Sequence, residues 1–203
     1  MTRIKLCGLK RPCDITYANQ LMPDYIGFVF AAGSRRYVTP EQAKALRKEL
    51  HPDIVPVGVF VNEEPEVIVN LLQQNIISAV QLHGPESPEY IENLRRHTDC
   101  TIIKAFSMKT MEDAEAANES PADMILLDSG SGGTGEPFDW KLLSGIHRPY
   151  FLAGGLTPEN AGEAIAACRP YGVDVSSSLE TEGYKDIQKM TAFVNAVRER
   201  ILL

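Results

Sequence analysis

Short apolar runs alternate with longer amphipathic stretches eight times along this chain, and that alternation constrains its fold more than any other feature. The runs are Arg3 to Cys7, Tyr25 to Phe30, Ile54 to Val61, Ser78 to Leu82, Thr101 to Phe106, Ala122 to Leu127, Pro149 to Ala153 and Gly172 to Ser176. Their starts lie about 20 to 30 residues apart, the spacing of a strand plus a crossover helix. Segments such as Tyr25-Ile26-Gly27-Phe28-Val29-Phe30 and Met124-Ile125-Leu126-Leu127 carry no polar residue on either face. Strands of a parallel sheet, covered on both sides, read this way, whereas half-exposed antiparallel strands alternate. Between the runs, Thr39-Pro40-Glu41, Ser87-Pro88-Glu89 and Thr157-Pro158-Glu159 each offer a capping hydroxyl, proline at the first helical position and an acid in the first turn. From about Asp186 to Leu202, Ile187, Met190, Val194, Val197 and Ile201 recur at helical spacing. Eight such units in 203 residues fit an α/β fold of one kind, a single (β/α)8 barrel domain over residues 1–203, near the lower size limit of that architecture. An open doubly wound sheet uses fewer strands and leaves some of the runs without a place.

Charge and cysteine usage narrow the partners. Lys and Arg number 20 against 27 Asp and Glu, a net charge of −7 with an isoelectric point near 5.2, so the overall field repels phosphate backbones and anionic lipid. Neither nucleic acid nor a membrane is an expected partner. The first residues enter a strand directly without an apolar signal core, and no stretch approaches the ~20 apolar residues that span a bilayer. Cys7, Cys13, Cys100 and Cys168 form no C-x-x-C pair and do not cluster with the histidines, the usage of reduced thiols. A cytoplasmic monomer or weak homo-oligomer is expected. No metal is expected either, since no His, Cys or carboxylate pair has ligand spacing.

Barrels of this kind place their chemistry at the carboxyl ends of the strands, and that is where the unusual residues fall. Cys7 ends the first run. A strand cysteine is most often a small buried hydrophobe, but at this position a base role is open to it, provided a cationic or dipolar neighbour raises the thiolate fraction. Lys5, two residues back on the same side of the strand, is the nearest candidate. Asp128 follows the sixth run and leads into Ser129-Gly130-Ser131-Gly132-Gly133-Thr134-Gly135, too long and glycine-rich for a tight connection and suited to wrapping a ligand. To donate a proton near pH 7, Asp128 needs a shift upward from about 3.9, which partial burial beside an apolar strand would have to supply. The spacing Gly130-x-Gly132-x-x-Gly135 is formally a dinucleotide fingerprint. Its place in the sixth unit and the missing acid at the next strand end argue against that use.

Gly154-Gly155 after the seventh run and Ser176-Ser177-Ser178 after the eighth read together as an anion cradle built from backbone amides and hydroxyls, with no lysine needed. Barrels bind phosphate at these two loops, so a phosphorylated small molecule is the expected substrate. Ser34-Arg35-Arg36-Tyr37 follows the second run and is expected across the mouth from the cradle, where an arginine would grip a second anionic group. Gln81 and His83, at i and i+2, point the same way and line the rim.

In this order the pieces resemble the phosphoribosylanthranilate isomerase family over essentially the whole chain. The resemblance is carried by Lys5-Leu6-Cys7-Gly8-Leu9, Ser34-Arg35-Arg36-Tyr37-Val38, Val57-Gly58-Val59-Phe60-Val61-Asn62, Gln81-Leu82-His83-Gly84, Leu127-Asp128-Ser129, Leu152-Ala153-Gly154-Gly155-Leu156 and Gly172-Val173-Asp174-Val175-Ser176-Ser177. It implies a cofactor-free barrel that carries out the Amadori rearrangement of N-(5-phosphoribosyl)anthranilate in tryptophan biosynthesis. By position it makes Asp128 the general acid, Cys7 the general base and Arg36 the contact to the anthranilate carboxylate, with Gly154, Gly155, Ser177 and Ser178 at the phosphate. One position departs from the family's usual Ser-Ser-Gly-Val-Glu: Ser178 stands where a glycine is expected, so its Cβ crowds the phosphate if the backbone there needs φ > 0, or its hydroxyl adds a contact. A histidine-pathway isomerase would carry aspartate in place of Cys7, and indole-glycerol-phosphate synthase would have a longer N-terminal extension. A phosphate sensor without chemistry would have no use for both Cys7 and Asp128.

Overall fold

The structure is a computed structural model and describes residues 1–128 and 140–199. Eight parallel strands form a closed barrel in chain order: β1 (Arg3–Cys7), β2 (Tyr25–Val29), β3 (Val55–Phe60), β4 (Ala79–Leu82), β5 (Thr101–Ser107), β6 (Met124–Asp128), β7 (Tyr150–Leu152) and β8 (Gly172–Val175). Closure runs through β1 and β8, with Lys5 paired to Asp174 and Leu6 to Val175. The eight apolar runs are these strands, with ends moved by one or two residues.

Helices α1 (Pro12–Leu21), α2 (Pro40–Glu49), α3 (Pro65–Gln73), α4 (Pro88–Arg95) and α5 (Met111–Glu119) follow β1 to β5, α6 (Pro158–Cys168) follows β7, and α7 (Ile187–Glu199) comes last. The hydroxyl caps at Thr39 and Ser87 are present, Ser87 Oγ accepting from the Tyr90 amide at 3.3 Å, while at Thr157 the cap is the Asn160 Oδ1 accepting from the Thr157 amide at 2.8 Å. Thr39 Oγ1 accepts from the Gln42 amide at 3.2 Å while Gln42 Oε1 accepts from the Thr39 amide at 2.9 Å, the reciprocal capping box. Two features depart from the plain repeat. Among the described residues, the connection after β6 contains a 3₁₀ helix, Trp140–Gly145, rather than an α-helix. After β8 the chain makes a second 3₁₀ turn (Ser177–Leu179) and a small hairpin of β9 (Glu180–Thr181) and β10 (Tyr184–Lys185) before α7 begins. Among the described residues no helix is long and apolar enough to cross a membrane.

Alternate strand residues sort into layers as the pleat requires. Phe60, Ile102 and Val173 face the helices within the large outer cluster. Val57, Ala79, Ile103, Leu126 and Phe151 fill the lumen. Above them Cys7, Val29 and Val59 form the layer under the mouth. The lumen also holds an ion pair: Lys5 Nζ donates to Asp174 Oδ1 at 2.9 Å, with Lys5 wholly buried.

Candidate active site

Cys7, Gln81, His83, Asp128, Gly154, Gly155 and Ser176 to Ser178, with Ser34 to Arg36, line one cavity of about 540 Å³ at the carboxyl end of the barrel, whereas Lys5 and Tyr37 are not part of its lining. Cys7 closes β1 beside Gly27 of β2, and the fit is close: a Cβ at position 27 would sit 2.5 Å from Cys7 Sγ. Lys5 and Cys7 share a face of β1, so the Lys5–Asp174 pair lies one layer beneath the thiol. Burial is the largest influence on Cys7 and pushes its thiol up. The ammonium of Lys5 pulls it down, Asp174 pushes it up again and Lys185 pulls it down, and the balance stays above the ordinary value. The neutral thiol is therefore the resting form at pH 7, and Lys5 and Lys185 are the charges that keep the thiolate within reach.

Asp128 ends β6, its side chain partly exposed to the cavity. His83 Nε2 lies 4.0 Å from Asp128 Oδ2. Burial lowers the His83 pKa, against the pull of the Asp128 charge, so the ring is neutral at pH 7. The Gln81 side-chain amide meets His83 Nδ1 at 2.8 Å. With that amide donating, the ring proton sits on Nε2, toward Asp128. The glycine-rich segment that begins at Ser129, and the Phe138-Asp139 pair after it, lie outside the described residues.

The cradle forms where β7 and β8 end. Gly154 and Gly155 have φ of 83° and 63°, in the left-handed region that a side chain disfavours by ~1–2 kcal/mol. Gly154→Ala is accordingly expected to raise KM about tenfold with kcat little changed, the mark of lost uniform binding; steady-state kinetics on the phosphorylated substrate check it. Ser177 and Ser178 begin the 3₁₀ turn, and first-turn amides have no acceptor inside their own helix. Ser178 is not in the left-handed region, so its Cβ carries no backbone strain. Its hydroxyl donates to the Leu156 carbonyl at 2.6 Å, stapling the β8 loop to the β7 loop. That proton is spent on the protein, which leaves the backbone amide as the donor position 178 offers to a ligand.

Lys185 stands behind these loops: its Nζ, buried, donates to the Ser176 carbonyl at 2.9 Å. Ser176 Oγ in turn donates to the Cys7 carbonyl at 3.0 Å, tying the cradle to the end of β1. Arg36, in the loop after β2, does not stand across the mouth from the cradle. Its side chain turns back over β1, and its guanidinium pairs with Glu180 just beyond the β8 loop, Nε to Oε1 at 2.6 Å. Closure of the barrel explains this, because β2 is separated from β8 only by β1. Among the described residues no group of three His, Cys, Asp or Glu is gathered as metal ligands would be.

A thiol, a carboxyl group and two loops rich in glycine and serine ring the mouth of a closed (β/α)8 barrel. Residues 4–196 match the family model described as N-(5'phosphoribosyl)anthranilate (PRA) isomerase. The chain is 46% identical to the N-(5'-phosphoribosyl)anthranilate isomerase of Acetivibrio thermocellus, over 98% of this chain and 97% of that one. Its fold is similar to the crystal structure of phosphoribosyl anthranilate isomerase from Thermus thermophilus, with a TM-score of 0.89 at 36% identity over 98% of this chain and 100% of that one. A further phosphoribosyl anthranilate isomerase, solved in complex with reduced 1-(o-carboxyphenylamino)-1-deoxyribulose 5-phosphate, gives a TM-score of 0.87 at 37% identity, again over 98% of this chain and all (100%) of that one. The chain belongs to the N-(5'-phosphoribosyl)anthranilate isomerase family.

Proposed function

We propose that the family's reaction, the aldose–ketose (Amadori) rearrangement of N-(5-phosphoribosyl)anthranilate in tryptophan biosynthesis, is carried in this chain by Asp128 as general acid and Cys7 as general base. One observation carries the assignment: β6 and β1 flank β7 and β8 in the closed barrel, so a substrate anchored by its phosphate at Gly154, Gly155, Ser177 and Ser178 has Asp128 on one side and Cys7 on the other. Asp128 gives its proton to the furanose ring oxygen, and the C1–O bond breaks to leave an open-chain iminium. Cys7, as thiolate, then takes the proton from C2, and the electron pair released neutralises the nitrogen to give an enolamine. Tautomerisation of the enol yields the ketone. Arg36 meets the anthranilate carboxylate at the rim, and His83 presents its Nε2 proton toward Asp128. The direct test is to generate phosphoribosylanthranilate and follow its fluorescence with the protein present. Accelerated decay is expected, and a rate equal to the protein-free control would end the proposal.

The thiol offers a pH test that does not depend on turnover. Because burial outweighs Lys5 and Lys185, thiolate absorbance of Cys7, taken as the difference between the protein and Cys7→Ala, is expected to grow in with a midpoint above the ordinary thiol pKa of about 8.5. Lys5→Met removes a charge that favours the thiolate and is expected to move the midpoint higher; a midpoint below that of a free thiol, or one unmoved by Lys5→Met, contradicts this electrostatic account. The four free cysteines support a cytoplasmic setting, and a monomer or weak homo-oligomer is the assembly we expect in sedimentation measurements.

A further inference from the structure

Arg36 reaches the mouth already held. Its Nε donates to Glu180 Oε1 at 2.6 Å and its Nη2 to Glu180 Oε2 at 3.0 Å, a fork that fixes the plane of the guanidinium as well as its place. Glu180 is 5% exposed and also accepts from Lys185 Nζ at 2.8 Å and Arg35 Nη2 at 3.3 Å. Although burial alone would raise it, the hydrogen bonds from Arg36 and Lys185 hold its carboxyl below the usual range. One carboxylate thus serves three cations, leaving a local excess of positive charge. The hairpin that carries it is turned by Glu182 and Gly183, both at positive φ (53° and 80°), as a two-residue hairpin loop requires. On its other side the Arg36 stem runs across the end of β1: a Cβ on Gly8 would lie 2.4 Å from Arg36 Cδ. The fork uses the Nε–Nη2 edge, so the Nη1 end of a residue that lines the cavity is turned away from Glu180.

We infer that Glu180 is a specificity-determining positioning residue, which orients Arg36 so that its remaining edge meets the carboxylate on the aromatic amine of the substrate. This rests on the reading of Arg36 as that carboxylate's contact. An unheld arginine loses rotamer freedom when it grips an anion, whereas one clamped beforehand does not. The clamp therefore favours an anionic amine over a neutral one without touching either.

The test compares two substrates, the adducts of ribose 5-phosphate with anthranilate and with aniline, which differ by one carboxylate. Glu180→Gln is expected to lower kcat/KM for the anthranilate adduct about tenfold or more, mainly through KM, and to leave the aniline adduct within about twofold. Glu180→Asp, which keeps the charge and shortens the reach, is expected to fall between and serves if the glutamine variant does not fold. Equal losses on both substrates would mark general damage to the mouth and overturn the inference, as would no loss at all. Arg36→Met is the control for the underlying reading. If it keeps the wild-type preference for the carboxylate, that reading and the inference fall together; if it loses the preference while Glu180→Gln keeps it, the inference alone falls.

Discussion

Replacing Cys7 by alanine is expected to lower kcat by about 10²- to 10⁴-fold, the usual contribution of one positioned proton transfer. The loss should be confined to chemistry. Cys7 ends β1, whereas the cradle is built on the loops after β7 and β8, so the inhibition constant of ribose 5-phosphate is expected to stay within about twofold. The substitution removes only a sulfur from a layer shared with Val29 and Val59, a change on the order of 1 kcal/mol in stability. Circular dichroism and the inhibition constant establish that the variant is folded, and substrate fluorescence gives the rate. Turnover near the wild-type value would remove Cys7 from the mechanism. The space at Gly27 supplies a subtler version: Gly27→Ala puts a methyl group 2.5 Å from the sulfur and must displace it.

Asp128→Asn is expected to cost a similar factor, about 10²- to 10⁴-fold in kcat, by a different route. Asparagine keeps the shape beside His83 but has no proton to give the ring oxygen, so the furanose stays closed. The two variants can be told apart by borohydride, which reduces an open-chain imine. With Cys7→Ala the ring still opens and the imine waits for a base, so trapping is expected to exceed the protein-free background. With Asp128→Asn it is expected to match that background. The reverse pattern would exchange the two roles.

Much of the barrel is legible in the chain because strands buried on both faces are mostly apolar and stand out as runs such as Tyr25–Val29 and Met124-Ile125-Leu126-Leu127, the buried Lys5 and Asp174 being tolerated as a pair. Thr39, Ser87 and Thr157 mark helix starts for an equally local reason, the need to satisfy the first amides of a helix. The strand-end residues follow from chain order once closure is granted. What stays hidden is contact between distant segments. Lys5 can be named as the neighbour of Cys7, since they are two residues apart, but its partner Asp174 emerges only from the register between β1 and β8. Arg36 and Glu180 are 144 positions apart, and neither carries a mark of the other. In the sequence Glu180 stands only as the last residue of Ser176-Ser177-Ser178-Leu179-Glu180, with no role marked, and Lys185 has no signal of its own. The one available signal is weak: Glu182-Gly183 between short segments is a poorer hairpin turn than Asn-Gly, but both residues take the positive φ such a turn needs.

The seam at which the first and last strands of the barrel meet runs through the proposed site, with the base we assign on one lip and the proposed phosphate grip on the other. Nascent or truncated chains that stop short of β8 therefore possess the thiol and the carboxyl group but lack half of the anchor and the hairpin that steadies Arg36. Catalytic competence should thus arrive in a single step late in folding, when that seam zips shut, and an amino-terminal fragment complemented by the missing final unit should regain both at once.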